Sequence, residues 1–79
     1  MMPTVMVSGP YRFFFYSGDR QEPLHVHVQR DNMVAKFWVD PVRLRNSGGF
    51  SRLELRRIER LIKNAERGLV EEWHEFFSK

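Results

Sequence analysis

The chain predicts an α+β fold: a small antiparallel β-sheet of three to five strands, with a C-terminal helical segment packed on one face. Two observations carry this. The first fifty residues divide into short β-prone runs separated by turn signals, and the remainder holds one continuous helical stripe of apolar side chains. The 79 residues suffice for a single domain, 1–79, with the sheet in 1–45 and the helix in 51–78.

Residues 3–9 (PTVMVSG) read as a first strand, ended by Gly9-Pro10. The aromatic run 11–17 (YRFFFYS) reads as a second, stopped by the turn signal Ser17-Gly18-Asp19. Two alternating runs follow, 24–30 (LHVHVQR) and 33–39 (MVAKFWV), separated only by Asp31-Asn32. Both turn residues tolerate positive φ, which predicts a hairpin with a two-residue loop. Asp40-Pro41 ends the fourth strand, residues 42–45 (VRLR) add a short fifth, and Asn46-Ser47-Gly48-Gly49 forms a loop.

A helix start follows. Ser51 with Glu54 matches a capping box, and Phe50 with Leu55 matches the hydrophobic staple beside it. Leu55, Ile58, Ile62, Ala65, Leu69, Trp73 and Phe76 recur at spacings of three or four. A helix over 52–67 spans about 24 Å, close to a seven-residue strand at about 3.4 Å per residue. A straight continuation to Phe77 would overhang the sheet, so a kink or break is expected near Gly68.

The two-residue loop fixes the hairpin register. Arg30 faces Met33, Val28 faces Ala35, Val26 faces Phe37 and Leu24 faces Val39, an apolar set suited to the helix stripe. The other face pairs Gln29 with Val34, His27 with Lys36 and His25 with Trp38. In strand 11–17, Tyr11, Phe13 and Phe15 suit the core, which leaves Arg12, Phe14 and Tyr16 beside the histidines.

Composition narrows the classes. The sequence has no cysteine, so disulfides and thiolate metal sites are excluded. There is no apolar run of membrane-spanning length and no signal-peptide pattern at the start, so the expected location is cytoplasmic. With 42% hydrophobic residues and 14% aromatic residues the chain is globular, and its net charge of +3 favours anionic partners only mildly. The charge is uneven. Residues 51–67 hold six basic and three acidic side chains, and 68–79 hold three Glu against one Lys.

His25 and His27, two apart on one strand, are the principal candidates for chemistry. As an acid–base pair they would serve metal-independent RNA cleavage, with Glu22 orienting, Lys36 and Arg12 binding phosphate and Trp38 stacking a base. The expected catalytic set is therefore His25, His27, Glu22 and Lys36. The expected nucleic-acid contacts are Arg12, Tyr16 and Trp38 on the sheet and Arg56, Arg60 and Lys63 on the outer helix face, where Arg52 and Arg67 complete a basic stripe. The same two histidines also suit a metal, with Glu22, Asp19 or His74 as third ligand. None has a diagnostic spacing, and Lys36 opposite His27 repels a cation, so neither a metal nor another cofactor is expected. The rival to an RNA-directed enzyme is a non-catalytic module that docks a partner, or closes a homodimer, through the His25/His27/Trp38 face.

The aromatic run Phe14-Phe15-Tyr16-Ser17, the stretch Glu22-Pro23-x-His25-x-His27-Val28, the run Ala35-Lys36-Phe37-Trp38 and the closing Trp73-His74-Glu75-Phe76 together resemble a bacterial family of roughly 80-residue proteins labelled a domain of unknown function. The resemblance covers nearly the whole chain. It implies the toxin side of small two-gene toxin–antitoxin modules, hence a cognate small antitoxin-like protein as partner and RNA as a target. The family supplies no established catalytic residues to carry over.

Overall fold

The computed structural model, which describes residues 4–78, has five antiparallel strands in one sheet whose spatial order equals their order along the chain. They are β1 (Thr4–Ser8), β2 (Tyr11–Phe14), β3 (His25–Arg30), β4 (Met33–Trp38) and β5 (Arg43–Asn46). A 3-10 turn, Ser17–Gln21, connects β2 to β3, and two helices follow the sheet, α1 (Arg52–Asn64) and α2 (Glu66–Phe77). Residue 3, expected to open the first strand, lies outside the described residues. None of the helices among the described residues is long and apolar enough to cross a membrane.

The β3–β4 hairpin has the register that its two-residue loop dictates. Arg30 pairs with Met33, Val28 with Ala35, Val26 with Phe37, His27 with Lys36 and His25 with Trp38. Of the two loop residues Asp31 takes the left-handed conformation, with φ 55°. The Val39 N–H donates to the Leu24 carbonyl at 3.1 Å, so the pairing runs one step past the strand ends. β2 joins through Phe13 opposite Val28 and Phe14 opposite His27.

Alternation then sorts the side chains. Tyr11, Phe13, Val26, Val28, Ala35 and Phe37 are buried on one face, with Phe15 beyond the end of β2, and all join a single core with Ile58, Ile62, Leu69 and Trp73. Leu55, Ala65 and Phe76 pack against it, so the whole helical stripe is used. Each fully buried side chain of this size contributes roughly 1.5–3 kcal/mol over its exposed state.

The helix start departs from the expected box in an informative way. Ser51 Oγ accepts from the Glu54 N–H at 3.2 Å, which satisfies one of the free donors of the first turn. The Glu54 carboxylate does not turn back to the cap. It accepts from Arg30 Nε at 2.6 Å and Nη2 at 3.0 Å, and from the Tyr11 hydroxyl at 2.9 Å. This bidentate ion pair fastens the first turn of α1 to β2 and β3. The helical break falls at Ala65 (φ −105°, ψ 8°), ahead of Gly68, which lies within α2. The Ala65 N–H is shared between the Leu61 and Ile62 carbonyls at 3.2 and 3.1 Å, the tightened last turn of a terminating helix. At the far end of α2, Arg20 Nη2 donates to the Phe77 carbonyl at 2.7 Å, tying the helix terminus to the 3-10 turn.

Gly48 is held where no side chain fits. Its φ is +60°, and a Cβ there would lie 2.0 Å from the Val34 carbonyl oxygen and 2.9 Å from the Ala35 nitrogen. Gly18 has open space around it. Gly48→Ala is therefore expected to cost about 2–4 kcal/mol of unfolding free energy, from the unfavourable φ plus displacement of the β4 backbone. Gly18→Ala stays within about 0.5 kcal/mol; urea unfolding of both variants checks the contrast.

A second prediction concerns acid stability. The Arg30 hydrogen bond lowers the Glu54 pKa below the ordinary value, with burial opposing and the Tyr11 hydrogen bond assisting. A carboxyl depressed in the folded state stabilises the fold above its unfolded pKa, and that contribution disappears as pH falls through the lower folded value. Glu54→Gln should thus lower stability at pH 7 and flatten its decline below about pH 4.5, as followed by thermal melts across pH.

Candidate functional site

The 3-10 turn converts an ordinary hairpin face into a site. Asp19 is fixed within it from both directions: its N–H donates to the Tyr16 carbonyl, and its own carbonyl accepts from the Glu22 N–H, both at 3.0 Å. Its Oδ2 also accepts from the Tyr16 N–H at 2.8 Å. The turn thereby lays the Asp19 carboxylate across the two histidines of β3. Oδ2 lies 3.1 Å from His25 Nε2 and 3.2 Å from His27 Nε2.

All three groups are buried, with Asp19 7%, His25 0% and His27 9% exposed. The His25 Nδ1 is 2.8 Å from the Pro23 carbonyl. A carbonyl only accepts, so Nδ1 carries a proton and Nε2 is the nitrogen turned toward Asp19. Neither Nε2 makes an aligned hydrogen bond, although both are buried and close to a carboxylate oxygen. Burial lowers the His27 pKa from its ordinary value, with the Asp19 charge opposing.

Aromatic rings enclose the cluster. Phe14 stacks on His27 at 5.4 Å and Tyr16 meets the same ring edge-on at 4.5 Å. Trp38 and Trp73 flank His25 at 5.8 and 5.3 Å. Trp73 also packs on Phe15 at 5.2 Å, so the end of α2 closes both the core and the end of the histidine cluster.

The other expected site residues divide between two sides of the molecule. Lys36 pairs with Glu22, whose pKa is lowered chiefly by that hydrogen bond, and the Lys36 ammonium lies 5.1 Å over the Trp38 ring. Arg12 donates to Gln29 Oε1 at 2.6 Å and Thr4 Oγ1 at 3.2 Å, and its guanidinium covers Phe14 at 4.2 Å. His25, His27, Glu22, Lys36, Arg12, Tyr16 and Trp38 thus share one neighbourhood. Arg56, Arg60 and Lys63 are exposed on α1, on the opposite side of the sheet, where Lys63 pairs with Glu59 at 3.2 Å. The sheet separates the two groups. Asp19 is the site residue that the catalytic expectation omits; its signal is an acidic residue in the turn leading into a His-x-His strand.

Two buried imidazoles thus face one carboxylate. His25, sealed from solvent and bonded through Nδ1 to the backbone, is poorly placed to exchange protons with water. Asp19, His25 and His27 bring their donor atoms within 4.8 Å of one another, the arrangement by which such residues ligate a metal.

Comparison with known proteins matches a family described as a domain of unknown function (DUF4160) over residues 11–74, a span that contains the turn, the hairpin and the helical stripe as far as Trp73. No curated protein and no solved structure shows significant similarity. With that match extending over most of its length, the chain belongs to the DUF4160 family.

Proposed function

We propose that the protein is the RNA-binding, toxin-like member of a small toxin–antitoxin pair, and that it holds RNA by the phosphate backbone along the outer face of α1. The observation that supports this is the concentration of exposed cations. Arg52, Arg56, Arg60, Lys63 and Arg67 recur every three or four residues on the solvent side of α1 and the start of α2, and Arg43 and Arg45 stand exposed on the edge strand β5. Arg52 and Arg56 share a shallow groove with Leu44, Leu55 and Glu59, whereas Arg43, opposite Trp38, belongs to the histidine face of the sheet. A basic helix face gains its affinity by releasing counterions from the nucleic acid, without reading bases. In this reading the cognate antitoxin-like protein is acidic and competes for the same cations.

Docking of a protein partner on the His25/His27/Trp38 face has weaker support. Both histidines lie beneath Tyr16 and the 3-10 turn, so a partner there would touch Tyr16, Lys36 and Trp38 instead.

The test is binding of an unstructured single-stranded RNA, followed by fluorescence anisotropy over a salt series. For Arg56→Gln/Arg60→Gln/Lys63→Gln the slope of log K against log salt should shrink by about 2, at roughly 0.7 per lost phosphate contact. Induced expression of the wild type should arrest growth, and the triple variant at equal abundance should not. An unchanged slope, together with unchanged growth arrest, would remove α1 from the proposal.

A further inference from the structure

We infer that Asp19, His25 and His27 form a binding site for one first-row divalent transition ion, with zinc as the best match. The inference is independent of RNA binding by α1, which lies on the other side of the sheet.

Distances carry the first part. Two donors each about 2.1 Å from a common ion and roughly 90–110° apart lie about 3.0–3.4 Å from each other. The Asp19 Oδ2 separations from the two Nε2 atoms, 3.1 and 3.2 Å, fall within that interval. Tautomer carries the second. The His25 Nδ1–H donates to the Pro23 carbonyl at 2.8 Å, which makes Nε2, 3.1 Å from the Asp19 carboxylate, the ring nitrogen placed to ligate. A backbone carbonyl on the distal nitrogen is the support that metal-binding histidines receive, and the Tyr16 N–H on Asp19 Oδ2 supports the carboxylate likewise. The third part is the orphaned state of both buried Nε2 atoms, which a cation between them and Asp19 would satisfy.

Lys36, the objection to a metal in the sequence, is engaged by the Glu22 carboxylate and is partly neutralised there. The donor set selects the class of ion. Two imidazole nitrogens with one carboxylate suit zinc and its first-row neighbours, whereas calcium and magnesium prefer all-oxygen ligation. Three protein donors leave a coordination position for water or for an exogenous ligand, as in sites where the metal acts on a substrate.

The experiment uses the purified full-length chain, stripped with a chelator and titrated calorimetrically with zinc alone. One ion per chain is expected, with the melting temperature rising by roughly 10 °C at a hundredfold excess over Kd. Asp19→Asn and His27→Gln should each weaken binding at least tenfold, while His74→Ala, an exposed histidine outside the cluster, should leave it unchanged. Because Asp19 and His27 are buried, nitrogen NMR of the wild type supplies a readout that needs no variant. Zinc should shift the Nε2 resonances of His25 and His27 and preserve the His25 Nδ1 proton. Binding of less than one equivalent, binding lost in His74→Ala, or zinc that leaves both Nε2 resonances unmoved would each overturn the site.

Discussion

The register of the β3–β4 hairpin is the constraint on which the rest of this structure depends. Once Asp31 and Asn32 close the loop, Val26, Val28, Ala35 and Phe37 turn to one face, and His25, His27, Lys36 and Trp38 to the other. A slip of one residue would drive both histidines into the helix-packed core and expose the valines. Core and candidate site are therefore specified by a single pairing. The Arg30–Glu54 pair extends that specification to the helices, because Arg30 is the last residue of β3 and Glu54 lies in the first turn of α1.

The two sides of the sheet consequently carry different chemistry. The helix side ends in solvent-facing cations that suit a polyanion and carry no directional information. The hairpin side holds three donor groups in a sealed aromatic setting, where direction matters more than charge. A chain this small separates the two by one sheet and one layer of helix, so a ligand on the basic surface and an ion under the turn do not compete for the same atoms.

How much of this was legible follows from range. The hairpin register and the helical stripe were readable because both are periodic patterns confined to neighbouring residues, and all seven stripe residues join or pack on the core. The Ser51 cap was readable for the same reason. The Glu54 carboxylate was not, because its preference for Arg30 and Tyr11 over the local cap depends on tertiary contact across the sheet. A break was expected near Gly68, the weakest helix former of the stretch, and the helix turns at Ala65, three residues earlier. Asp19 was visible as a turn residue and as one of three candidate ligands. That the turn folds back over β3 is a fact of packing, and it makes Asp19 the carboxylate that meets both imidazoles, while Glu22 goes to Lys36 and His74 stays exposed.

The strand order has a further consequence. Every strand pairs with its predecessor along the chain, so the sheet assembles from successive hairpins with no crossover to thread and little loop-closure entropy at each step. The contacts that seal the histidine cluster are of another kind. Trp73 against His25 and Arg20 against the Phe77 carbonyl join segments from opposite ends of the sequence. The enclosure of His25 thus draws on the least local part of the architecture, whereas His27 is covered by Phe14 and Tyr16 from the adjoining strand and turn. The two imidazoles of one strand are in this sense shielded by different ranges of the sequence.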